Sequence, residues 1–235
     1  MIGYQEPEYV VGIEQAQTAA QNMFVFANTL AEERLANPRS DLSSQILHGT
    51  IDGERLTQLE YDTFFLLLAV AGNETTRNLI AHGLLLLLDH PDVLQRLRSE
   101  PALLPQAIEE MLRFRSPVMY MRRTALADTE LEGQTIRKGQ KLLMFYPSAN
   151  RDESVFGEPD VFDIDRTSNP HLAFGIGEHF CVGTHLARLE TRVMFEGILE
   201  RMHEIERAGP VSYLRSNLID GVKHIPIRFE GRRAS

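Results

Sequence analysis

Between Thr57 and Pro91 the chain runs without a single proline, and this stretch constrains the fold more than any other. Thr57-x-x-Glu60 is a capping box, in which the threonine and the glutamate each satisfy one orphan N–H of a helix start. The helix it opens is predicted to continue to Asp89-His90, where Pro91 forbids a further turn. Roughly 33 residues at 1.5 Å each make a rod of about 50 Å, long enough to cross a whole domain. Almost continuous apolar residues from Phe64 to Ala71 predict burial on most sides.

The rod is interrupted near its middle by Ala71-Gly72-Asn73-Glu74-Thr75-Thr76. A carboxylate and two hydroxyls inside a buried helix each cost free energy unless satisfied. A threonine bonding a carbonyl one turn back, beside a glycine, bends or widens the helix and leaves a groove for water or dioxygen. The plainer reading is a solvent-facing polar stripe.

The second chemical feature is Phe174-Gly175-Ile176-Gly177-Glu178-His179-Phe180-Cys181-Val182-Gly183, which holds the only cysteine. Glycines at 175, 177 and 183 permit positive φ and close backbone approach, so N–H groups are able to turn toward the sulfur. A helix predicted to begin near Cys181 adds its positive end, which favours thiolate over thiol. Such a sulfur suits a redox-active iron. The alternative is a buried free cysteine after an ordinary glycine turn.

The pattern Phe-Gly-x-Gly-x-His-x-Cys-x-Gly resembles the haem-binding loop of the cytochrome P-450 monooxygenases. The polar interruption at 71–76 is similar to that family's oxygen-activation motif. Glu110-x-x-Arg113 and Arg166, in Phe162-Asp-Ile-Asp-Arg166, follow in the family's order. By itself Glu110 and Arg113, three apart on a helix, would be an ordinary surface ion pair.

The resemblance implies a mainly α fold with small β sheets. The chain would be the carboxy-terminal portion of one cytochrome P-450 domain over 1–235, with the amino-terminal part absent. It implies haem b ligated through the Cys181 thiolate, with His179 and Arg123 at the propionates and Phe174, Gly175, Ala71 and Gly72 against the cofactor. Glu74 and Thr75 would relay protons to bound dioxygen. Glu110, Arg113 and Arg166 would form a buried structural triad. A ferredoxin- or flavin-type protein would supply electrons. The implied reaction is hydroxylation of an apolar small molecule of the steroid, terpene or fatty acyl class. The alternative is a truncated, non-catalytic haem- or lipid-binding remnant.

The remaining segments read as scaffold. Helices are predicted over Val10–Ala36, within Ser40–Asp52, from Pro91 to Ser99, from Pro105 to Phe114 and from Leu186 to Met202. In the last of these Leu186, Leu189, Val193, Phe195, Ile198 and Leu199 are expected to face inward. Val118-Met119-Tyr120-Met121 and Lys141–Tyr146 read as strands that lack partners, and Glu130–Arg137 as a hairpin turning at Gly133. Val118, Met119 and Met121 are candidates to line a pocket, and the resemblance adds Leu218 and Ile219 from the turn at 217–221. The two arginines Arg122-Arg123 read without the resemblance as solvated charges at a strand end. Val211–Leu214 and Lys223–Phe229 read as closing strands.

Composition limits the function classes. A net charge of −9 argues against nucleic-acid or anionic-membrane partners. One cysteine rules out an internal disulfide framework and fits a reducing cytoplasm. The first residues show no cationic-then-apolar leader, and neither apolar run reaches the roughly 20 residues needed for a bilayer span.

Overall fold

A computed structural model describes residues 6, 8 and 13–231, and these fall into two compact units, 1–74 and 75–235, whose boundary lies inside the long helix. The first unit holds α1 (Ile13–Ala36), α2 (Leu42–His48) and the first half of α3 (Gln58–Asp89). Val10, Val11, Gly12 and the side chain of Ile13, assigned above to the first helix, lie outside the described residues. Ala27, Ala31, Leu47 and Tyr61 form a small core, with Ile46 and Phe65 against it. Asn28 Nδ2 donates to Asp62 Oδ2 at 2.9 Å, tying α1 to α3.

The capping box closes as its chemistry requires. The Thr57 N–H donates to Glu60 Oε2 at 2.8 Å and the Glu60 N–H to Thr57 Oγ1 at 3.3 Å. At 32 residues α3 measures about 48 Å. Two expectations for it are corrected. It runs as unbroken α-helix through 72–76, because one glycine and two β-branched residues cost only about 1–2 kcal/mol of propensity against a continuous ladder. Its apolar stretch is also less buried than its composition predicts: Phe64 and Leu67 are exposed, because the described elements cover only one side there.

The second unit packs the rest of α3 with α4 (Pro91–Ser99), α5 (Leu104–Phe114) and α7 (Thr184–Arg201). Its core includes Leu79, Leu87, Leu97, Ile108, Met111 and Phe195. Helix α5 is strongly amphipathic, with Leu104, Ala107, Ile108, Met111 and Leu112 buried on one face. A short helix, α6 (Tyr146–Ala149), leads into an irregular meander over residues 150–176.

Among the described residues the strands form four two-stranded antiparallel sheets. β1 (Tyr120–Thr124) pairs with β4 (Lys141–Phe145), matching Tyr120 with Phe145 and Arg123 with Leu142. These are the strands expected to lack partners: each is the other's partner. β1 also begins two residues later than predicted, and Val118 instead bridges Ile219. β2 (Thr129–Leu131) and β3 (Gln134–Ile136) form the expected hairpin, whose turn residues Glu132 and Gly133 both take positive φ, 48° and 73°.

β5 (Met202–Arg207) pairs with β8 (Ile227–Gly231), and β6 (Ser212–Tyr213) with β7 (Val222–His224). β5 was not anticipated, and α7 departs from its expected packing. Phe195, Ile198 and Leu199 are buried, whereas Leu186, Leu189 and Val193 are exposed. At 100° per residue the two sets lie on opposite sides, so no single face can hold both. Among the described residues no helix is long and apolar enough to cross a membrane.

Candidate functional site

The cysteine loop folds back on itself. Gly175 and Gly177 both sit at φ +72°, and a one-turn 3₁₀ segment spans Gly177–His179. The Cys181 N–H donates to the Phe174 carbonyl at 3.0 Å, clamping the two ends of the loop together. A Cβ on Gly175 would meet Tyr146 Oη at 3.3 Å and the His179 carbonyl at 3.6 Å, so this backbone tolerates only glycine comfortably. Helix α7 starts at Thr184, three residues after Cys181 and two before the Leu186 start read from the apolar pattern. Cys181 is free and exposed, which removes the reading of a packing cysteine. His179 and Phe180 are exposed beside it.

Behind the loop a charged network joins three elements. Arg188, on α7, donates to both oxygens of Glu109, on α5, at 2.6 and 2.7 Å. The same guanidinium lies 4.6 Å from the centre of the Phe174 ring. His171 Nε2 is 3.1 Å from Glu109 Oε2, and its ring contacts Phe174. Burial raises the Glu109 carboxyl, but the bonds from Arg188 and His171 outweigh it and hold the group at about 2.

Glu110, one residue on, points elsewhere on the helix and meets different partners. Arg113 donates to it twice, at 2.7 Å each, and both side chains are essentially unexposed, at 0% and 1%. Arg113 also donates to the carbonyls of Asn150, Pro159 and Val161. Arg166 Nε approaches Glu110 Oε2 at 3.4 Å, an ion-pair distance without hydrogen-bond alignment, while its Nη1 donates to the Gly157 carbonyl at 2.7 Å. The Asp163 N–H and Asn169 Nδ2 complete the carboxylate's shell at 3.0 Å each.

The pocket candidates from two distant segments meet. The Met119 N–H donates to the Leu218 carbonyl at 2.8 Å, and Val118 bridges Ile219. Met121 is exposed on β1, Leu218 is exposed and Ile219 is buried. Arg123, also on β1, is exposed and donates to the neighbouring Arg122 carbonyl. Ala71 and Gly72 are exposed and Glu74 half-buried at the end of the first unit, and Thr75, half-buried, opens the second.

Glu109, His171, Arg188 and Asn150 were missed by sequence reasoning. Asn150 is fully buried: its side chain accepts from the Leu172 N–H at 2.7 Å and donates to Ser116 Oγ at 2.8 Å. The only available signal, for Asn150, was a polar residue leading into the proline- and aspartate-rich stretch 156–170, which has little periodicity and precedes the cysteine loop.

The family model for cytochrome P-450 matches residues 12–203. The chain belongs to this family. It is 42% identical over 97% of its length to a methyl-branched lipid omega-hydroxylase of Mycobacterium tuberculosis, of which it covers 54%. It is 41% identical over 98% of its length to a steroid C26-monooxygenase of Rhodococcus jostii, of which it covers 48%. The structure of CYP109E1 from Bacillus megaterium in complex with testosterone superposes with a TM-score of 0.88 and 35% identity, over 92% of this chain and 60% of that one. The chain thus spans about half the length of the curated relatives it matches, and its fold is the carboxy-terminal portion of the cytochrome P-450 fold.

The family's cofactor is haem b held by a cysteine thiolate, and the residues here suit it. The loop presents a sulfur donor to solvent, apolar Phe180 and Ile176 are exposed near it in the chain, and Arg123 and His179 are exposed cationic or cation-forming groups.

Proposed function

We propose that this chain carries the thiolate side of a haem monooxygenase that hydroxylates an apolar small molecule. The observation that carries the reading is Cys181, the only cysteine, solvent-facing in a glycine-folded loop within the region matched by the family model. When bound, the haem supplies an iron at which dioxygen is activated, with electrons from a ferredoxin- or flavin-type donor. Cys181 offers Sγ as the ligand, and the clamp between its N–H and the Phe174 carbonyl limits where that sulfur can lie. His179 and Arg123 hold the anionic propionates, while Gly175, Ala71 and Gly72 allow close approach of a flat ring. The Glu74 carboxylate and Thr75 hydroxyl hold and pass protons. Glu110, Arg113 and Arg166 keep the meander folded under the site.

Val118, Met119, Met121, Leu218 and Ile219 contribute an apolar surface that excludes water from the substrate. The names of the relatives favour a steroid or a methyl-branched lipid within that class. The direct test is the carbon-monoxide spectrum of the reduced, haem-loaded protein. Cys181→Ser should abolish the red-shifted band of thiolate haem, and a band that survives the substitution removes Cys181 as the ligand.

A second reading is favoured by the exposed apolar side of α7, at Leu186, Leu189 and Val193. On this reading the chain is a non-catalytic haem- or lipid-binding remnant, or folds fully only with another polypeptide. Residues 1–235 that take up stoichiometric haem with a thiolate spectrum, yet yield no hydroxylated product with surrogate electron donors, would favour it.

A further inference from the structure

We propose that Asn78 and His82, one turn apart on α3, are positioning residues that hold the 217–222 turn and thereby set which apolar molecule the site prefers. The inference rests on the reading of Leu218 as a substrate contact and deepens it, by naming what places that contact.

A surface turn is ordinarily the mobile part of a fold, because water can satisfy its backbone groups in many arrangements. This one is bonded from several sides. The Val222 N–H donates to Asn78 Oδ1 at 2.8 Å, and His82 Nε2 lies 2.8 Å from the Asp220 carbonyl. The Asp220 N–H donates to the Pro117 carbonyl at 2.9 Å, the Leu214 N–H to the Gly221 carbonyl at 2.8 Å and the Met119 N–H to the Leu218 carbonyl at 2.8 Å. A Cβ on Gly221 would strike Leu214 Cβ at 2.7 Å, so the backbone is in close contact there as well. Within this framework Ile219 and Val222 are buried, and Leu218 is left 38% exposed.

The two α3 side chains are built for holding rather than for solvation. Asn78 is 0% and His82 1% exposed, in a helix segment whose other buried positions are mostly leucines, with Thr76 and Gly83 among them. A carbonyl partner requires a proton on Nε2, so in the neutral ring Nδ1 is a bare acceptor. Among the described residues Nδ1 is buried without a hydrogen-bond partner, and an unpaired acceptor is tolerable only if something else is gained. Burial lowers the affinity of His82 for a second proton, while the nearby Asp220 carboxylate, 3.3 Å away, works in the opposite direction and Arg115 opposes Asp220. A buried leucine would fill the space at His82 at less cost, but it would release the Asp220 carbonyl. Helix α3, which carries Thr75, is thereby bonded to the turn that carries Leu218.

The test compares the haem-loaded wild type with His82→Leu, His82→Gln and Asn78→Ala. Backbone amide exchange at 218–222 and equilibrium binding of testosterone and of hexadecanoic acid are both measured. In His82→Leu and Asn78→Ala, exchange at 218–222 should rise about 10- to 100-fold over exchange in α5 and α7, the scale of one lost buried hydrogen bond. The ratio of the two affinities should shift by about tenfold, the scale of one displaced apolar contact. His82→Gln, which keeps an N–H donor, should retain most of the wild-type ratio. General destabilisation would weaken both ligands alike and leave the ratio fixed. An unchanged ratio with raised exchange overturns the specificity role, and unchanged exchange overturns the tether itself. A wild type that binds neither molecule removes the substrate reading instead, while the exchange measurement still decides whether the two residues hold the turn.

Discussion

Arg113 is the residue whose loss the structure prices most clearly. Its guanidinium is unexposed, pairs with a carboxylate that is also unexposed, and bonds three meander carbonyls, those of Asn150, Pro159 and Val161. Arg113→Met keeps much of the aliphatic volume and removes every one of those bonds. Glu110 is then left buried with the Asp163 N–H, Asn169 and the imperfectly aligned Arg166 as its only support. Breaking one side of a buried ion pair costs about 3–5 kcal/mol, a large part of the roughly 5–15 kcal/mol that holds a domain together.

The chain has no tryptophan, so far-UV circular dichroism during a urea titration is the suitable assay. With a slope of about 1–3 kcal/mol per molar urea, the midpoint should fall by about 1–5 M. Arg113→Lys should rescue little, because one ammonium cannot span a bidentate carboxylate and three carbonyls. Glu110→Gln combined with Arg113→Met should lose less than the sum of the single substitutions, since the neutral amide no longer leaves a buried charge unpaired. A loss below about 1 kcal/mol for Arg113→Met, or strict additivity in the double variant, would refute the reasoning.

Two further outcomes follow from particular contacts. The Glu109 carboxyl sits at about 2 in the folded protein against an ordinary 4.5, a depressed value, so its contribution is full above about pH 4.5 and is lost as pH falls toward 2. The stability difference between wild type and Glu109→Gln should therefore shrink across that window and stay flat from pH 5 to 8, and a difference that grows on acidification contradicts the assignment. Gly83→Ala should destabilise despite alanine's helix propensity. Its Cβ would meet Met111 Sδ and Phe195 Cζ at 2.7 Å each, and overpacking of about 1–3 kcal/mol exceeds the roughly 1 kcal/mol gained from propensity; a raised melting temperature would show the packing to be looser than these distances.

What the sequence made legible is what is decided within a few residues. Helix ends carry their caps and prolines locally, so Thr57, Glu60 and Pro91 bound α3 and α4 as read. The hairpin at Glu132-Gly133 and the glycine-folded cysteine loop are equally local, because each needs only residues that accept positive φ. Pairings decided between distant segments were not legible. β1 and β4 find each other across an intervening hairpin, and the charged β5, starting at Met202, the predicted end of α7, carries no strand pattern of its own until β8 supplies its partner.

The candidate site divides along the same line. Cys181 announces itself through its neighbours, whereas Glu109 looks like half of a Glu-Glu dipeptide until the fold brings Arg188 and His171 to it. Adjacent residues on a helix point about 100° apart, so Glu109 and Glu110 cannot share a partner. One joins α5 to α7 and to His171, three residues ahead of the cysteine loop; the other joins α5 to the meander. That divergence follows from helix geometry alone and was available in the sequence. The identity of the two partner sets was not, because nothing local specifies which arginine crosses which gap. A Glu-Glu dipeptide on a helix is therefore best read as two separate anchors, and here one grips α7 and the residue His171 ahead of the cysteine loop while the other grips the meander.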